Sequence, residues 1–205
     1  KLSGRADWEK GEIKLFCNQV FVSDSIKEIV PKYLLPLRGV IDSTDIPLNV
    51  SRSALQTDRK VRSISSFISK KIANKLKDLL KNNPEFYAEI WDSISAFVKI
   101  GVMEDEKFSE LAQNSIIFET KLGSDLVKDE EIENKFLINF NDKFFTTLEN
   151  YSNRNNKNDN NKIIYCTDEI SQSNALNLWL SNNREVIKAD PLIDAQFIPW
   201  LESQN

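Results

Sequence analysis

The chain has 205 residues, 40% of them hydrophobic, and its 27 basic and 31 acidic side chains give a formal charge of −4. This balance lacks the strongly basic character of proteins that bind duplex nucleic acid, so we expect no nucleic-acid partner. There is no histidine, which excludes Ser/His and Cys/His catalytic arrangements and removes the commonest metal ligand, so we also expect no metal site.

The first part of the chain has the pattern of a mixed α/β unit. Residues Ile13–Val22 place apolar side chains on one face and end in an apolar run, which predicts a strand. Pro31 either ends a short helix or opens a second turn that carries Tyr33. The apolar pair Val40–Ile41 predicts a short strand, and the run Asp42–Asp45 that follows favours a surface loop.

Three successive helices are predicted in the middle of the chain. From Asp58 onward, apolar residues recur every three or four positions, which is the period of a long amphipathic helix. Asn83 followed by Pro84 is typical of a helix start, and this second helix is expected to end near Gly101. A third, shorter helix covers about residues 105–113. We interpret the group as a helical connector.

The second half of the chain predicts a small α/β unit. Its elements are a strand at 162–166, a helix at 171–180, a strand at 185–188 and a terminal helix at 191–201. The polar run Asn153–Asn161 precedes them, and because it has no apolar anchor we expect a mobile loop there.

The predicted fold class is therefore α/β, with three parts in sequence. They are a larger α/β sandwich unit over residues 1–81, a helical connector over 82–116, and a smaller α/β unit over 117–205. The chain begins with Lys rather than Met, which indicates a fragment of a longer protein.

Cysteine usage and hydropathy predict the cellular setting. Cys17 and Cys166 are far apart in sequence and form neither a ligand pair nor a disulfide framework, which indicates a reduced, cytoplasmic environment. No run approaches the ~20 apolar residues of a membrane span, and Lys1–Arg5 has the character of neither a signal nor a transit peptide. We expect a soluble protein without membrane contact.

One stretch calls for a chemical explanation, the run Pro47–Arg52 with Gln56 one turn further on. Ser51 is suited to cap a helical turn, and Arg52 and Gln56 at i and i+4 would project from one face of it. A guanidinium at a helix start has planar, forked donors that match phosphate oxygens. Spacing alone, however, favours an ordinary solvated helix face.

A set of segments carries a resemblance to a known family. They are Val20–Asp24, Val30–Leu34, Arg38–Arg52 and Leu55–Gln56, followed more loosely by Phe97–Lys99, Gly101, Ile164–Glu169, Pro191–Asp194 and Phe197–Ile198. In order and spacing these segments resemble the middle domain of the heat shock protein 90 (Hsp90) family, in its bacterial branch. The resemblance covers nearly the whole chain. It implies that the larger α/β sandwich unit is truncated at its N-terminus, because the family's middle domain normally begins with further strands upstream of the position of Lys1.

The resemblance implies site residues for this chain. Arg52 matches the family's catalytic-loop arginine, which reaches the γ-phosphate of ATP in a separate N-terminal domain. Gln56 and Asn49 match other residues of that loop, and Phe21 matches an apolar residue that supports it. ATP and Mg²⁺ would be bound by the absent N-terminal domain, so this chain alone is not expected to hydrolyse ATP.

The resemblance also implies partners. They are unfolded or partly folded client proteins, the protein's own N-terminal ATPase domain, and a DnaK-type chaperone as a further candidate. The full-length protein would be a homodimer through an absent C-terminal domain.

Two other functions stay open. A transducer domain of a DNA topoisomerase or mismatch-repair ATPase would sense phosphate on a related architecture, but usually with lysine, and the acidic charge and Arg52 argue against it. In a pure protein-binding module, Arg52 would be a surface residue of a docking loop.

Overall fold

The computed structural model describes residues 13–23, 30–34, 38–42, 44, 59–123, 137–159 and 162–204. The chain divides into two compact units, Lys1–Asn74 and Lys75–Asn205. Both units contain helices and a β-sheet, so the α/β class predicted from the sequence is confirmed. The three-part division of the chain stays a prediction.

A three-stranded sheet forms the first unit's β-structure in the described residues. Its strands are β1 (Ile13–Cys17), β2 (Val20–Ser23) and β3 (Gly39–Asp42), in the order β2-β1-β3. The central strand β1 is antiparallel to β2 and parallel to β3. Ile13, Leu15 and Cys17 are buried and alternate with more exposed neighbours, so one face of β1 lies on the core.

The single strand predicted over Ile13–Val22 is wrong, because the chain reverses direction within it. Asn18 and Gln19 form a two-residue turn between β1 and β2, with φ angles of 50° and 65°. Positive φ at both central residues is the geometry that matches the twist of a tight hairpin. Asn adopts this conformation readily but Gln rarely does, and without a glycine the turn had no clear signal in the sequence.

A short 3-10 turn and a long helix complete the described part of the first unit. The turn spans Lys32–Leu34, and α1 spans Arg59–Asn82 and contains the boundary between the two units. The Tyr33 Oη and Ser69 Oγ atoms lie 3.1 Å apart and hydrogen-bond, joining the turn to α1. The second turn after Pro31 and the long amphipathic helix are both confirmed.

Two further helices begin with the side-chain caps that their sequences indicate. They are α2 (Pro84–Glu104) and α3 (Glu106–Ala112). The Phe86 N–H donates to Asn83 Oδ1 at 3.4 Å, and the Phe108 N–H donates to Asp105 Oδ1 at 3.0 Å. Each bond satisfies an N–H that has no partner inside its helix. Helix α2 continues three residues beyond Gly101, the predicted end.

A five-stranded sheet forms the centre of the second unit. Its strands are β4 (Ile117–Lys121), β5 (Ile138–Phe140), β6 (Lys143–Thr147), β7 (Tyr165–Cys166) and β8 (Val186–Lys188), in the order β5-β6-β4-β8-β7. All neighbours are antiparallel except β7 and β8. The sequence analysis missed β4, β5 and β6. The central strand β4 is largely buried on both faces and therefore lacks the apolar–polar alternation that marks a half-buried strand.

Three more helices pack on this sheet. They are α4 (Leu148–Asp159), α5 (Ser173–Ser181) and α6 (Asp194–Ser203). Leu176 of α5 packs against Cys166 and Val186. Phe197 of α6 lies 6.4 Å from Phe118 of β4, measured between ring centroids. No helix in the described part of the chain has the length and apolar character that crossing a bilayer requires.

Helix α4 corrects the mobile loop predicted over Asn153–Asn161 as far as Asp159, and the last two residues of that range lie outside the described part of the chain. The helix continues through Asp159, and the side chains of Arg154 and Asn155 are turned onto the unit rather than into solvent. A polar segment can be ordered without apolar residues where it meets a buried polar partner, which a pattern of hydrophobic residues does not reveal.

Candidate functional site

Three of the four predicted site residues, Asn49, Arg52 and Gln56, lie within residues 45–58, outside the part of the chain that the structure describes. The structure does describe the elements on either side, since β3 leads into this segment and α1 follows it. The roles of the three residues therefore stay predictions.

A hydrogen bond joins the end of β3 to the β1–β2 turn. The Gln19 N–H donates to Asp42 Oδ1 at 3.2 Å. Because β1 and β3 are parallel neighbours, both strands end at the same edge of the sheet, which brings the turn beside the last residue of β3. The hydrogen bond thus links the β1–β2 turn to the end of β3, the strand that precedes residues 45–58 in the sequence.

Phe21, the fourth predicted residue, lies on β2 in the described part of the first unit. Its ring meets the ring of Phe16 edge-on, with centroids 5.7 Å apart and an interplanar angle of 74°. Phe16 pairs with Phe21 on one side and with Asp42 on the other, so the three residues form a row across the sheet. Phe21 is 52% exposed, which leaves half of its surface available to another segment. Its supporting role stays a prediction.

This end of the sheet combines a carboxylate with apolar surface. Asp42 contributes a carboxylate that accepts a backbone hydrogen bond, and Phe16 and Phe21 contribute apolar surface. Among the described residues, no three His, Cys, Asp or Glu side chains are grouped so as to hold a metal ion.

The second unit contains a buried ion pair that the sequence analysis did not single out. Lys99 Nζ lies 2.6 Å from Asp194 Oδ1, and the two side chains are 4% and 1% exposed. The ammonium group also lies over two aromatic rings, 4.6 Å from the Phe118 centroid and 5.7 Å from that of Phe197. Burial lowers the pKa of Lys99 from its ordinary value, and the hydrogen-bonded Asp194 carboxylate opposes that shift. The pair connects α2 to α6.

A signal for this pair was present in the sequence. Lys99 and Asp194 each fall in a short segment that carried the family resemblance. Nothing in one sequence, however, indicated that the two segments meet.

A second buried polar group centres on Glu185, which is fully buried and accepts four side-chain hydrogen bonds. Arg154 donates through Nε to Oε2 at 2.9 Å and through Nη2 to Oε1 at 2.7 Å. Asn155 Nδ2 donates to Oε2, and Thr120 Oγ1 donates to Oε1, both at 3.0 Å. The Arg154–Glu185 bond is thus bidentate, the strongest form of this contact. The network fixes the polar half of α4 to the sheet.

Two clefts open on the second unit. A polar cleft of about 340 Å³ is lined in part by Asp92, Lys99, Glu119, Lys143, Lys188 and Asp190. An apolar cleft of about 430 Å³ is lined in part by Phe118, Leu148, Ile163, Tyr165, Ile187 and Ile198. In the polar cleft the Glu119 carboxylate is shared by Lys143 at 3.2 Å and Lys188 at 3.3 Å. Its charges therefore largely compensate each other.

Comparison with known proteins gives consistent matches. The family model described as Hsp90 protein matches residues 3–204, which includes the segment 45–58. A Chaperone protein HtpG of Porphyromonas gingivalis is 46% identical over 130 residues, covering 63% of this chain and 19% of that protein. A Chaperone protein HtpG of Bacteroides thetaiotaomicron is 32% identical over 209 residues, covering 100% of this chain and 28% of that protein.

A solved structure shares the fold. It is described as the middle domain of a heat shock protein of Plasmodium falciparum, and it superposes with a TM-score of 0.65 at 23% sequence identity. The match covers 99% of this chain and 72% of that one. The chain spans less than a third of the length of the two bacterial relatives.

Proposed function

The chain belongs to the Hsp90 family, and we propose that it serves as the middle domain of an ATP-dependent chaperone, in which Arg52 contacts the γ-phosphate of a nucleotide held by a separate domain. The observation that carries this proposal is the family match over residues 3–204, a range that includes Arg52, Gln56 and Asn49. The loop roles of these three residues come from the resemblance in sequence.

The chemistry of arginine suits this role. A guanidinium is charged at every physiological pH and presents forked donors to phosphate oxygens, so it stabilises the charge that develops as the terminal phosphoryl group departs. Gln56 and Asn49 supply neutral amides in the same segment. Phe21 supports the segment from the sheet. ATP and its Mg²⁺ belong to the other domain, so the chain contributes part of an active site.

The decisive experiment uses a full-length protein that contains this chain with the ATP-binding and dimerisation domains. We expect Arg52→Ala to lower ATP turnover by about 10³-fold, the lower end of the range for catalytic arginines, while nucleotide affinity stays unchanged. The matched control is Arg62→Ala, which removes an exposed arginine from α1 and should leave turnover as it is. Wild-type turnover in Arg52→Ala would refute the assignment of Arg52 to the γ-phosphate contact.

The partners follow from the same proposal. Unfolded or partly folded proteins are the clients, a DnaK-type chaperone cooperates, and the full-length protein is a cytoplasmic homodimer through its C-terminal domain. Mixing the folded chain with a separately prepared N-terminal domain should raise the ATPase rate of that domain. A pure protein-binding module would give no rise, so this measurement separates the two functions.

A further inference from the structure

Two aliphatic side chains extend into solvent at one end of the five-stranded sheet. Ile170 is 88% exposed and Leu192 is 64% exposed. Each lies in the loop that follows one of the two parallel strands, Ile170 after β7 and Leu192 after β8. We infer that Ile170 and Leu192 form a docking surface for a cationic, apolar segment of a partner protein. This inference does not depend on the role proposed for Arg52.

The register of the two strands brings these loops side by side. Cys166 and Lys188, the last residues of β7 and β8, are paired, and the Ala189 N–H donates to the Cys166 carbonyl at 2.9 Å. Neighbouring strands lie about 4.8 Å apart, so two loops that leave them at the same register are adjacent. Thr167 of the first loop and Asp190 of the second line the same polar cleft, which agrees with this placement.

The loop after β7 is held by side-chain hydrogen bonds. Asp168 Oδ1 accepts from the Ile170 N–H at 2.9 Å and from the Ser171 N–H at 3.3 Å. Gln172 Oε1 accepts from the Thr167 N–H at 2.9 Å and from the Asp168 N–H at 3.0 Å. These bonds fix the backbone on both sides of the loop, so the loop itself holds Ile170 in solvent.

The loop after β8 repeats the arrangement. Asp190 Oδ1 accepts from the Leu192 N–H at 2.7 Å and from the Ile193 N–H at 3.3 Å. Asp168 and Asp190 therefore occupy the same place in their loops, each just before an exposed aliphatic side chain. A surface whose loops are already ordered loses little conformational entropy when a partner binds, which favours affinity.

The charges around the two aliphatic side chains indicate the chemistry of the partner. Glu169 is engaged by Lys121 and by Lys188, both at 3.2 Å. Asp168 and Asp190 are exposed, and within the described ranges neither carboxylate forms an ion pair. Each aliphatic side chain thus has a negative charge beside it that no described lysine pairs with. A segment with apolar residues between basic ones complements both features, whereas an acidic segment or an anionic membrane would be repelled.

The test measures the affinity of the full-length protein for a synthetic peptide. The probe is a fluorescently labelled peptide with a central run of leucines flanked by lysines, and its binding is followed by fluorescence anisotropy. Two matched peptides are controls, one with glutamates in place of the lysines and one with serines in place of the leucines. We expect only the leucine–lysine peptide to bind. Its affinity should fall as salt is added, because salt screens the attraction between exposed charges.

Variants of the chain show whether the peptide binds at this surface. Ile170→Ser and Leu192→Ser should each weaken binding by about tenfold, equivalent to about 1.4 kcal/mol, because each removes an aliphatic side chain that the peptide would bury. Leu178→Ser, at a leucine of α5 that is 63% exposed, is the matched control and should leave the affinity unchanged. Asp168→Asn keeps an oxygen that accepts the loop's hydrogen bonds but removes the charge, so it should weaken binding by about threefold and reduce the salt dependence. All four positions are exposed, so the melting temperatures should stay close to that of the wild type.

Several results would overturn the inference. They are no binding of the leucine–lysine peptide, equal binding of either control peptide, and an affinity that Ile170→Ser and Leu192→Ser leave unchanged or that Leu178→Ser lowers equally. Sedimentation of the full-length protein tests a different occupant. If association beyond the dimer disappears in Ile170→Ser, the surface binds a second copy and the choice of partner is wrong. Arg52→Ala should bind the peptide as the wild type does, so this test stands even if the proposed function fails.

Discussion

Replacing Glu185 with alanine removes the acceptor of four buried hydrogen bonds, and we expect it to destabilise the second unit by about 4 kcal/mol. The guanidinium of Arg154 stays buried without its carboxylate, and breaking a buried pair in this way costs about 3–5 kcal/mol. Asn155 and Thr120 each lose a partner as well, but contributions within one network are not additive. For a chain of this size, the loss corresponds to a fall in melting temperature of about 10 °C.

The assay is urea unfolding followed by tryptophan fluorescence. Three of the four tryptophans, Trp91, Trp179 and Trp200, belong to the second unit and report on it. The midpoint should fall, while the dependence of unfolding free energy on urea stays the same if the compactness of both states is preserved. Proteolysis should also cut the polar half of α4 faster, because that half is held to the sheet through Glu185.

A double variant separates the effect of the Arg154–Glu185 charges from the effect of the volume that the two side chains fill. Replacing a buried ion pair with apolar groups of similar volume is often neutral or stabilising. We therefore expect the double variant Glu185→Leu with Arg154→Met to recover at least half of the unfolding free energy that Glu185→Leu alone loses. The reasoning would be refuted if Glu185→Ala cost under about 1 kcal/mol, which is the scale of one ordinary hydrogen bond. It would equally be refuted if the double variant were as unstable as the two single changes added together.

Three further changes test local features. Gly123→Ala should destabilise the second unit by about 1–3 kcal/mol in urea, because a Cβ there would lie 2.5 Å from Asn183 Cα, a backbone atom; an unchanged midpoint would contradict this close approach. Gln19→Gly should stabilise the first unit by about 0.5–1 kcal/mol, because glycine adopts a φ of 65° without strain. Its melting temperature should therefore rise slightly, and a lower melting temperature would contradict this. Burial raises the pKa of Tyr87 well above its ordinary value of 10.0, so the unfolded chain loses its proton first and stability should fall as pH rises above 10. Tyr87→Phe should flatten that fall and, by losing the 2.8 Å bond to the Ser115 carbonyl, should cost about 1 kcal/mol at neutral pH; an equally steep alkaline fall would count against the assignment.

Features that depend on neighbouring residues were predictable from the sequence. The Asn83 cap, the following proline and the period of apolar residues in α1 act within one or two turns, and the structure has the corresponding helices. The hairpin was harder, because its turn uses Gln19 at a positive φ rather than glycine.

Features that depend on distant residues were not predictable in this way. The central strand β4 has partners on both sides and lacks alternation, and the order of the polar half of α4 depends on Glu185, which is 31 residues from Arg154. For the candidate site, spacing alone made Arg52 a weak hypothesis, and the resemblance to a family supplied its role. The described residues add the sheet edge beside Asp42, which no pattern in the sequence marked.

The Glu185 network also bears on how the chain folds during synthesis. Its members are spread along the chain, with Thr120 65 residues and Arg154 31 residues before the carboxylate. A growing chain that has not yet reached Glu185 therefore contains the donors without their common acceptor, and β8 is still missing from beside β4. Contacts between residues so far apart in sequence form late, and until they form, the strands already made have unpaired edges. We expect the second unit to acquire its stable structure only after most of its length has emerged from the ribosome.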